Sequence, residues 1–330
     1  MPLSEFAIIK QYFQQSGLCA DATHANIPLG IGDDCALLSV PAGQQMAVSM
    51  DVLVEGVHFP LKANPQLLAQ RALAVNLSDL AAMGAKPLGF TLGLTLPSVD
   101  ENWLADFSQG LRLSAHKYQC PLFGGNLTRG PLQICIQVHG LVPTGKALPR
   151  SGAKPGDAVY VSGTTGKAGL ALDWLKGALP AATPSQINEL EAAYYLPEPR
   201  LSLGEALRDI AHAAQDVSDG LLADLAHVAL QSQVQIVVEA EAIPLAPVLL
   251  DCKTRAEALL LALTAGDDYE LVFTASADKH EQIMASASAV NVPVTHIGSV
   301  LAGSGVLVLD AEGQAIQITH KGYDHFGVTT

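Results

Sequence analysis

Four short segments marked by glycine, serine or asparagine carry the acids of this chain best suited to chemistry: Gly32-Asp33-Asp34, Ser49-Met50-Asp51, Asn76-Leu77-Ser78-Asp79 and Asp216-Val217-Ser218-Asp219-Gly220. Only 15% of the residues are charged, so carboxylates set in apolar stretches are not ordinary surface decoration. Acids gathered by a fold repel one another, and a hard divalent cation with oxygen ligands relieves that repulsion. Magnesium is held by a few carboxylates plus water and leaves room for substrate phosphates. The pattern therefore predicts a site for several magnesium ions serving nucleotide chemistry.

The elements that must position these acids follow from periodicity. Ser4 to Gln15 carries Phe6, Ile9 and Phe13 at helical spacing and predicts a first amphipathic helix. Met46, Val48 and Met50 alternate with Ala47, Ser49 and Asp51, so a strand puts the Ser49 and Asp51 oxygens on one face. Asn64 as cap, Pro65 in the first turn and Gly84 as terminator bracket a helix from Pro65 to Met83. Asp79 falls in its last turns, where the helix already carries partial negative charge. A cation, pairing with Arg71 or Lys86, or simple solvation would compensate it. Leu88 to Leu96 and Leu132 to Val138 alternate with period two and predict strands, with a helix through Trp103, Phe107 and Leu111 between them.

The stretch from Pro143 to Asp157 is the best domain boundary. Beyond it a strand is expected at Ala158 to Ser162, and helices near Ala168 to Lys176, Ile187 to Tyr195 and Ser202 to His212. Further strands are expected around Val234 to Glu239, Leu271 to Thr274 and Val306 to Leu309. Strands and helices alternate without a regular repeat, which predicts layered α/β domains with mixed or antiparallel sheets. Leu221, Leu222, Leu225 and Val228 open a helix after Gly220, with Ser218 or Asp219 as its natural cap. Exposed amides at such a helix start also suit a phosphate.

Several function classes lack support. The Walker pattern around Gly166-Lys167 requires Gly at 161 and Ser or Thr at 168, where this chain has Val161 and Ala168, so Gly163 to Gly169 is read as a turn and helix start. His58 has no second histidine at metal spacing, and neither a G-x-S-x-G elbow nor a G-x-G-x-x-G fingerprint is present. A formal net charge of -14 argues against nucleic acid and anionic membranes as partners. No apolar run approaches the roughly 20 residues that span a bilayer, and Met1 to Lys10 lacks a secretory signal core, which predicts a cytoplasmic protein. The five scattered cysteines predict reduced, mostly buried thiols. A length of 330 residues is enough for two cored domains.

Eight collinear segments resemble the thiamine-monophosphate kinase family: Gly30-Ile-Gly-Asp-Asp34, Ser49-Met-Asp51 with Glu55-Gly-Val-His-Phe59, Ala74 to Ala85, Gly124-Gly-Asn-Leu-Thr-Arg-Gly130, Arg150 to Asp157, Asp216-Val-Ser-Asp-Gly-Leu221, Gly266-Asp-Asp-Tyr-Glu-Leu271 and Lys321-Gly-Tyr-Asp-His-Phe326. The resemblance implies an α/β (α+β) fold of two domains shared with aminoimidazole ribonucleotide synthetase and selenophosphate synthetase. Residues 1–145 would bind ATP and metal and pair their sheet across a homodimer. Residues 146–330 would complete the nucleotide and substrate site. The implied reaction is direct in-line transfer from ATP to thiamine monophosphate. By the same resemblance Asp34, Ser49, Met50 through its carbonyl, Asp51, Asp79, Asp216 and Asp219 would ligate magnesium, with Asp33 as an alternative to Asp34. Tyr118, Gly125, Arg150 and Ser218 would contact ATP, and His58, Asp267 and Tyr323 the acceptor.

Three positions depart from the family pattern. Asn126 stands where Asp is common and can still offer an oxygen to metal and ATP. Asp267 stands where Glu is common, and Lys167 where an acid is usual. The alternatives to this reading are another ATP-dependent synthetase of the same superfamily and a nucleotide-binding protein without turnover.

Overall fold

The computed structural model describes residues 4–20, 24–179, 182–319 and 322–323. They form two compact units, one of Met1–Leu80 with Ala85–Gly145 and one of Ala81–Gly84 with Lys146–Thr330. In the first unit, α1 (Glu5–Ile8) is capped by Ser4, whose hydroxyl accepts the Ala7 amide, and continues as a π-helical turn over Ile9–Gln14. The expected inward stripe fails at Phe6, which is 79% exposed. Phe13 is buried as expected, but Ile8 and Tyr12 are buried where Ile9 is only half-buried, because the wider π turn shifts which residues face the core.

The remaining elements of this unit are β1 (Gln44–Val54), α2 (Pro65–Ala82), β2 (Lys86–Leu96), α3 (Glu101–Lys117), β3 (Leu122–Arg129) and β4 (Gln133–Pro143). The strands lie in the order β1-β4-β2-β3, with β3 parallel to β2 and β4 antiparallel to both its neighbours. Leu88, Phe90, Leu92 and Leu94 of β2 and Ile134, Ile136 and Val138 of β4 are buried, as their alternation predicts. Burying each such side chain stabilises the unit by about 1.5–3 kcal/mol. Asn64 caps α2 by accepting the Leu67 amide, and Leu80 of that helix lies against Gly140 of β4. At Gly110, α3 comes so close to α2 that a Cβ would stand 2.1 Å from the Gln66 carbonyl oxygen. β1 inverts the usual pattern. Its apolar Val48 and Met50 are 52% and 54% exposed, while Ser49 and Asp51 share a face with Leu53, which is buried.

The second unit contains β5 (Asp157–Ser162), α4 (Lys167–Leu175), α5 (Pro184–Tyr195), α6 (Leu201–Ala206), β6 (Ala211–Asp216), α7 (Leu221–Ser232), β7 (Gln235–Glu239), α8 (Pro247–Cys252), α9 (Arg255–Thr264), β8 (Leu271–Ser276), α10 (His280–Ala289), β9 (Val294–Leu301) and β10 (Gly305–Leu309). The sheet order is β10-β7-β9-β5-β8-β6, antiparallel except for β10 with β7. Every residue of β5 is buried, because both faces are covered. Val159 and Val161 pack with Leu221, Leu225 and Val228 of α7, whereas Tyr160 packs with Leu203, Leu207 and Phe273. The helix expected from Ser202 to His212 ends at Ala206, and Ala211 and His212 belong to β6. The thiols also depart from expectation, since Cys120 is buried but Cys35 is exposed and Cys19, Cys135 and Cys252 are half-buried. Among the described residues no helix is long and apolar enough to cross a membrane.

Candidate active site

The inversion of β1 places polar atoms against the last turns of α2. Ser49 donates its hydroxyl to Asp79 Oδ2 at 2.6 Å, and the Asp51 amide donates to Asn76 Oδ1 at 2.9 Å. Asn76 is fully buried and in turn donates to the Ala72 carbonyl one turn earlier, so its side chain has a single orientation. Ser49, Asp51 and Asp79 are thus brought together, with Met50 between the first two. The Asp51 charge also reaches Cys135, whose thiol is pushed up first by burial and then by that carboxylate. His58 lies in the turn after β1, where its Nδ1 accepts the Val54 amide at 3.0 Å.

A second group lines a cavity of about 360 Å³ whose walls include Asp33, Asp34, Gly124, Gly125 and Asn126. Gly125 has φ +155, and a Cβ there would stand 2.1 Å from the Leu92 carbonyl oxygen, so only glycine lets β3 run this close to β2. Asp33 Oδ1 accepts the Asp34 amide at 2.9 Å, which commits one Asp33 oxygen to the turn. The register runs from Asp51 through Ile136 and Leu92 to Gly125. Three inter-strand spacings of about 4.8 Å separate the backbones of Asp51 and Gly125, too far for Asp51 and Asn126 to share one ion. Tyr118 ends α3, half-buried, with the Lys117 ammonium 4.9 Å from its ring centre.

The second unit gathers its own set around the loop from β6 to α7. Asp216 is 3% exposed at the end of β6, opposite Leu271. The loop backbone is pinned on both sides. Val217 donates to the Glu270 carbonyl and accepts from the Tyr269 amide, the Ser218 carbonyl accepts the Asp267 amide at 2.8 Å, and the Asp219 carbonyl accepts the Tyr323 amide at 3.0 Å. Asp216, Ser218, Asp219, Asp267 and Tyr323 are therefore neighbours. Arg150 is exposed, and the preceding Pro149 carbonyl accepts the Ala214 amide of β6.

Asp267 and Tyr269 both adopt left-handed backbone, with φ +71 and +52, and are joined by a bond from the Tyr269 hydroxyl to Asp267 Oδ1 at 2.9 Å. Such conformations cost about 1–3 kcal/mol each and persist where surrounding structure enforces them. Here the enforcers are Asp268 and Glu270. Glu270, 6% exposed, accepts the Ser162 hydroxyl and a bidentate pair from Arg200 Nε and Nη2 at 2.7 and 2.5 Å. Asp268 accepts the Gly166 and Ala168 amides at 2.5 and 3.1 Å. Burial pushes Asp268 up to about 7 despite those amides, with Glu270 and Asp267 adding to the rise. The Gly163 to Gly169 turn thus spends two amides on a carboxylate of its own chain, in keeping with a turn and helix start.

The cap of α7 differs from expectation. Its first position is Gly220, at φ +124, and neither Ser218 nor Asp219 caps it. Asp224 reaches back from within the helix and accepts the amides of Ser218, Asp219 and Gly220 at 2.9, 3.1 and 3.2 Å. These three amides are consequently taken and do not serve a phosphate, which leaves Ser218 its hydroxyl for a contact with a nucleotide. Burial and the nearby Asp219 push Asp224 up to about 7. Asp219, Asp224 and the exposed His227 also present donor atoms within 4.8 Å of one another. Asn76, Asp224, Asp268 and Glu270 were missed as supporting residues. A polar side chain inside an apolar run, as in Leu221-Leu-Ala-Asp-Leu225, was the available signal.

The side chains gathered in both units, Asp33, Asp34, Ser49, Asp51, Asp79, Asn126, Asp216 and Asp219, offer oxygen alone, which fits a hard cation such as magnesium rather than a soft metal. Two α/β units with this acid-lined arrangement define the class of AIR synthase related proteins. The family model of the N-terminal domain matches residues 32–142, and that of the C-terminal domain residues 154–310. Within that class the chain belongs to the thiamine-monophosphate kinase family. It is 42% identical over 326 residues to the thiamine-monophosphate kinase of Escherichia coli K12, covering 99% of both chains. The thiamine-monophosphate kinase structure from Stenotrophomonas maltophilia K279a is 43% identical with a TM-score of 0.85, covering 96% of this chain and 99% of that one. AaThiL complexed with AMPPCP and TMP is 29% identical with a TM-score of 0.77, covering 87% and 89%.

Proposed function

We propose that this chain phosphorylates thiamine monophosphate to thiamine diphosphate with ATP as the donor. The observation that carries the reading is identity at 42% along the whole length of a thiamine-monophosphate kinase. The solved complex of a relative with AMPPCP and TMP supports both substrates.

Asp34, Ser49, the Met50 carbonyl, Asp51, Asp79, Asn126, Asp216 and Asp219 would hold magnesium, with Asp34 favoured over Asp33 because Asp33 is engaged in its own turn. When bound, magnesium supplies positive charge to the phosphate oxygens and neutralises what develops there. The protein contributes placement. Tyr118, Gly125, Arg150 and Ser218 orient ATP, and Asn126 adds a neutral oxygen beside Gly125. His58, Asp267 and Tyr323 orient the acceptor. The acceptor phosphate is its own nucleophile and needs no general base, so catalysis is in-line positioning. The enzyme is read as a cytoplasmic homodimer.

The test is ADP release with thiamine monophosphate compared with thiamine, an aminoimidazole precursor and selenide. Turnover with the first alone is expected. Turnover with the precursor or selenide instead would assign the chain to another reaction of the superfamily.

A further inference from the structure

We propose that Asp224, which contacts neither the metal nor the substrates in the reading above, is the positioning residue that aligns the donor and acceptor halves of the second unit's site. The inference rests on that reading in taking Asp216 and Asp219 as metal ligands. Asp224 is 1% exposed, and each of its oxygens has a defined task. Oδ2 accepts three successive amides, Ser218, Asp219 and Gly220, while Oδ1 accepts Gln215 Nε2 at 2.7 Å. Three convergent amides on one oxygen fix the peptide planes of the loop far more tightly than a single cap would.

The consequence lies on the other edge of the same peptides. With their N–H groups turned toward Asp224, the Ser218 and Asp219 carbonyls point away from it and accept the Asp267 and Tyr323 amides. One carboxylate therefore fixes the loop holding the proposed metal side chains and, through the loop's carbonyls, the two residues proposed to hold the acceptor. The loop amides leave no room for an added atom on the far side, since a Cβ on Gly266 would stand 2.3 Å from the Ser218 carbonyl oxygen.

Two substitutions separate position from charge. Asp224→Asn keeps an oxygen for the three amides and loses the charge. Its new NH2 group can donate to Gln215 Oε1, which is buried without a partner, once the Gln215 amide turns over. Asp224→Glu keeps the charge and moves the carboxylate by one methylene. Positioning predicts that Asn stays within about threefold of the parent, whereas Glu weakens magnesium-dependent AMPPCP binding and raises KM for thiamine monophosphate, each by about 10- to 100-fold, the range typical of residues that orient ligands. Calorimetry with AMPPCP, with and without magnesium, measures the first quantity, and steady-state kinetics the second.

The reverse order, with Asn impaired and Glu spared, would make Asp224 a charged ligand and overturn the inference. A Glu variant that keeps parent-like binding and KM would overturn it equally. Asp216→Asn is the control on the underlying reading. If it retains magnesium-dependent AMPPCP binding, the metal assignment fails. If it loses that binding while Asp224→Glu does not, only the role of Asp224 falls.

Discussion

Ser49 and Asp79 meet at 2.6 Å, and the Asp51 backbone is held by Asn76, so the acids of this region are fixed before any cation arrives. Such preorganisation leaves carboxylate repulsion in the metal-free protein. Asp79→Asn retains an oxygen for the Ser49 hydroxyl and removes one charge, and Asp216→Asn removes one from a buried strand end. Each variant is expected to lose turnover while its melting temperature in EDTA stays level or rises. Calorimetric melting beside an activity assay checks both, and a variant that unfolds or remains near-normal in activity shows its aspartate to be structural. These residues were legible in sequence because acids stand out in a chain with so few charges. Asp224 was not, because its role depends on the loop curling back over the first turn of α7, which residue types alone do not announce.

At the scale of elements, strands with strict alternation were read correctly, since period two is a direct consequence of pleating. β6 escaped because Ala211-His-Ala-Ala-Gln-Asp216 has no β-branched residue and is made a strand by its pairing with β8. The inversion of β1 was half legible. Its alternation predicts Ser49 and Asp51 on one face, but not that the polar face would turn inward. β3 owes its place to Gly125, so Gly125→Ala forces the Leu92 carbonyl away and places alanine in a conformation it resists. Destabilisation by about 2 kcal/mol or more is expected, read as a lower urea midpoint with unchanged slope. An unchanged midpoint would show that β2 and β3 can part without cost.

For the whole molecule, the apolar residues of β2 and β4 are buried within the first unit's sheet and offer nothing to a partner. Val48 and Met50 on β1 are the exposed apolar residues of that sheet, and they now carry the expectation of a homodimer. Light scattering is predicted to give twice the chain mass, and substitution of both residues by Ser or Gln to shift it toward the monomer. A fully active parent monomer contradicts this.

Stability should also depend on pH. Asp268 titrates near 7 in the folded protein, above its ordinary range, so the folded state holds a proton there that the unfolded state releases from about pH 4 upward. Its stabilising contribution is full below that point and is lost as pH rises through about 7, amounting to no more than about 4 kcal/mol. In EDTA the melting temperature should fall between about pH 5 and 8, and fall less in Asp268→Asn. Equal slopes for the two proteins would contradict the assignment.

The most direct test of the account follows the phosphorus atoms themselves. Phosphorus NMR of the protein with ATP, magnesium and thiamine monophosphate should show ADP and thiamine diphosphate growing in equal amounts, and neither in EDTA. Inorganic phosphate in place of thiamine diphosphate, or product formed equally well from thiamine, would contradict phosphoryl transfer to the monophosphate.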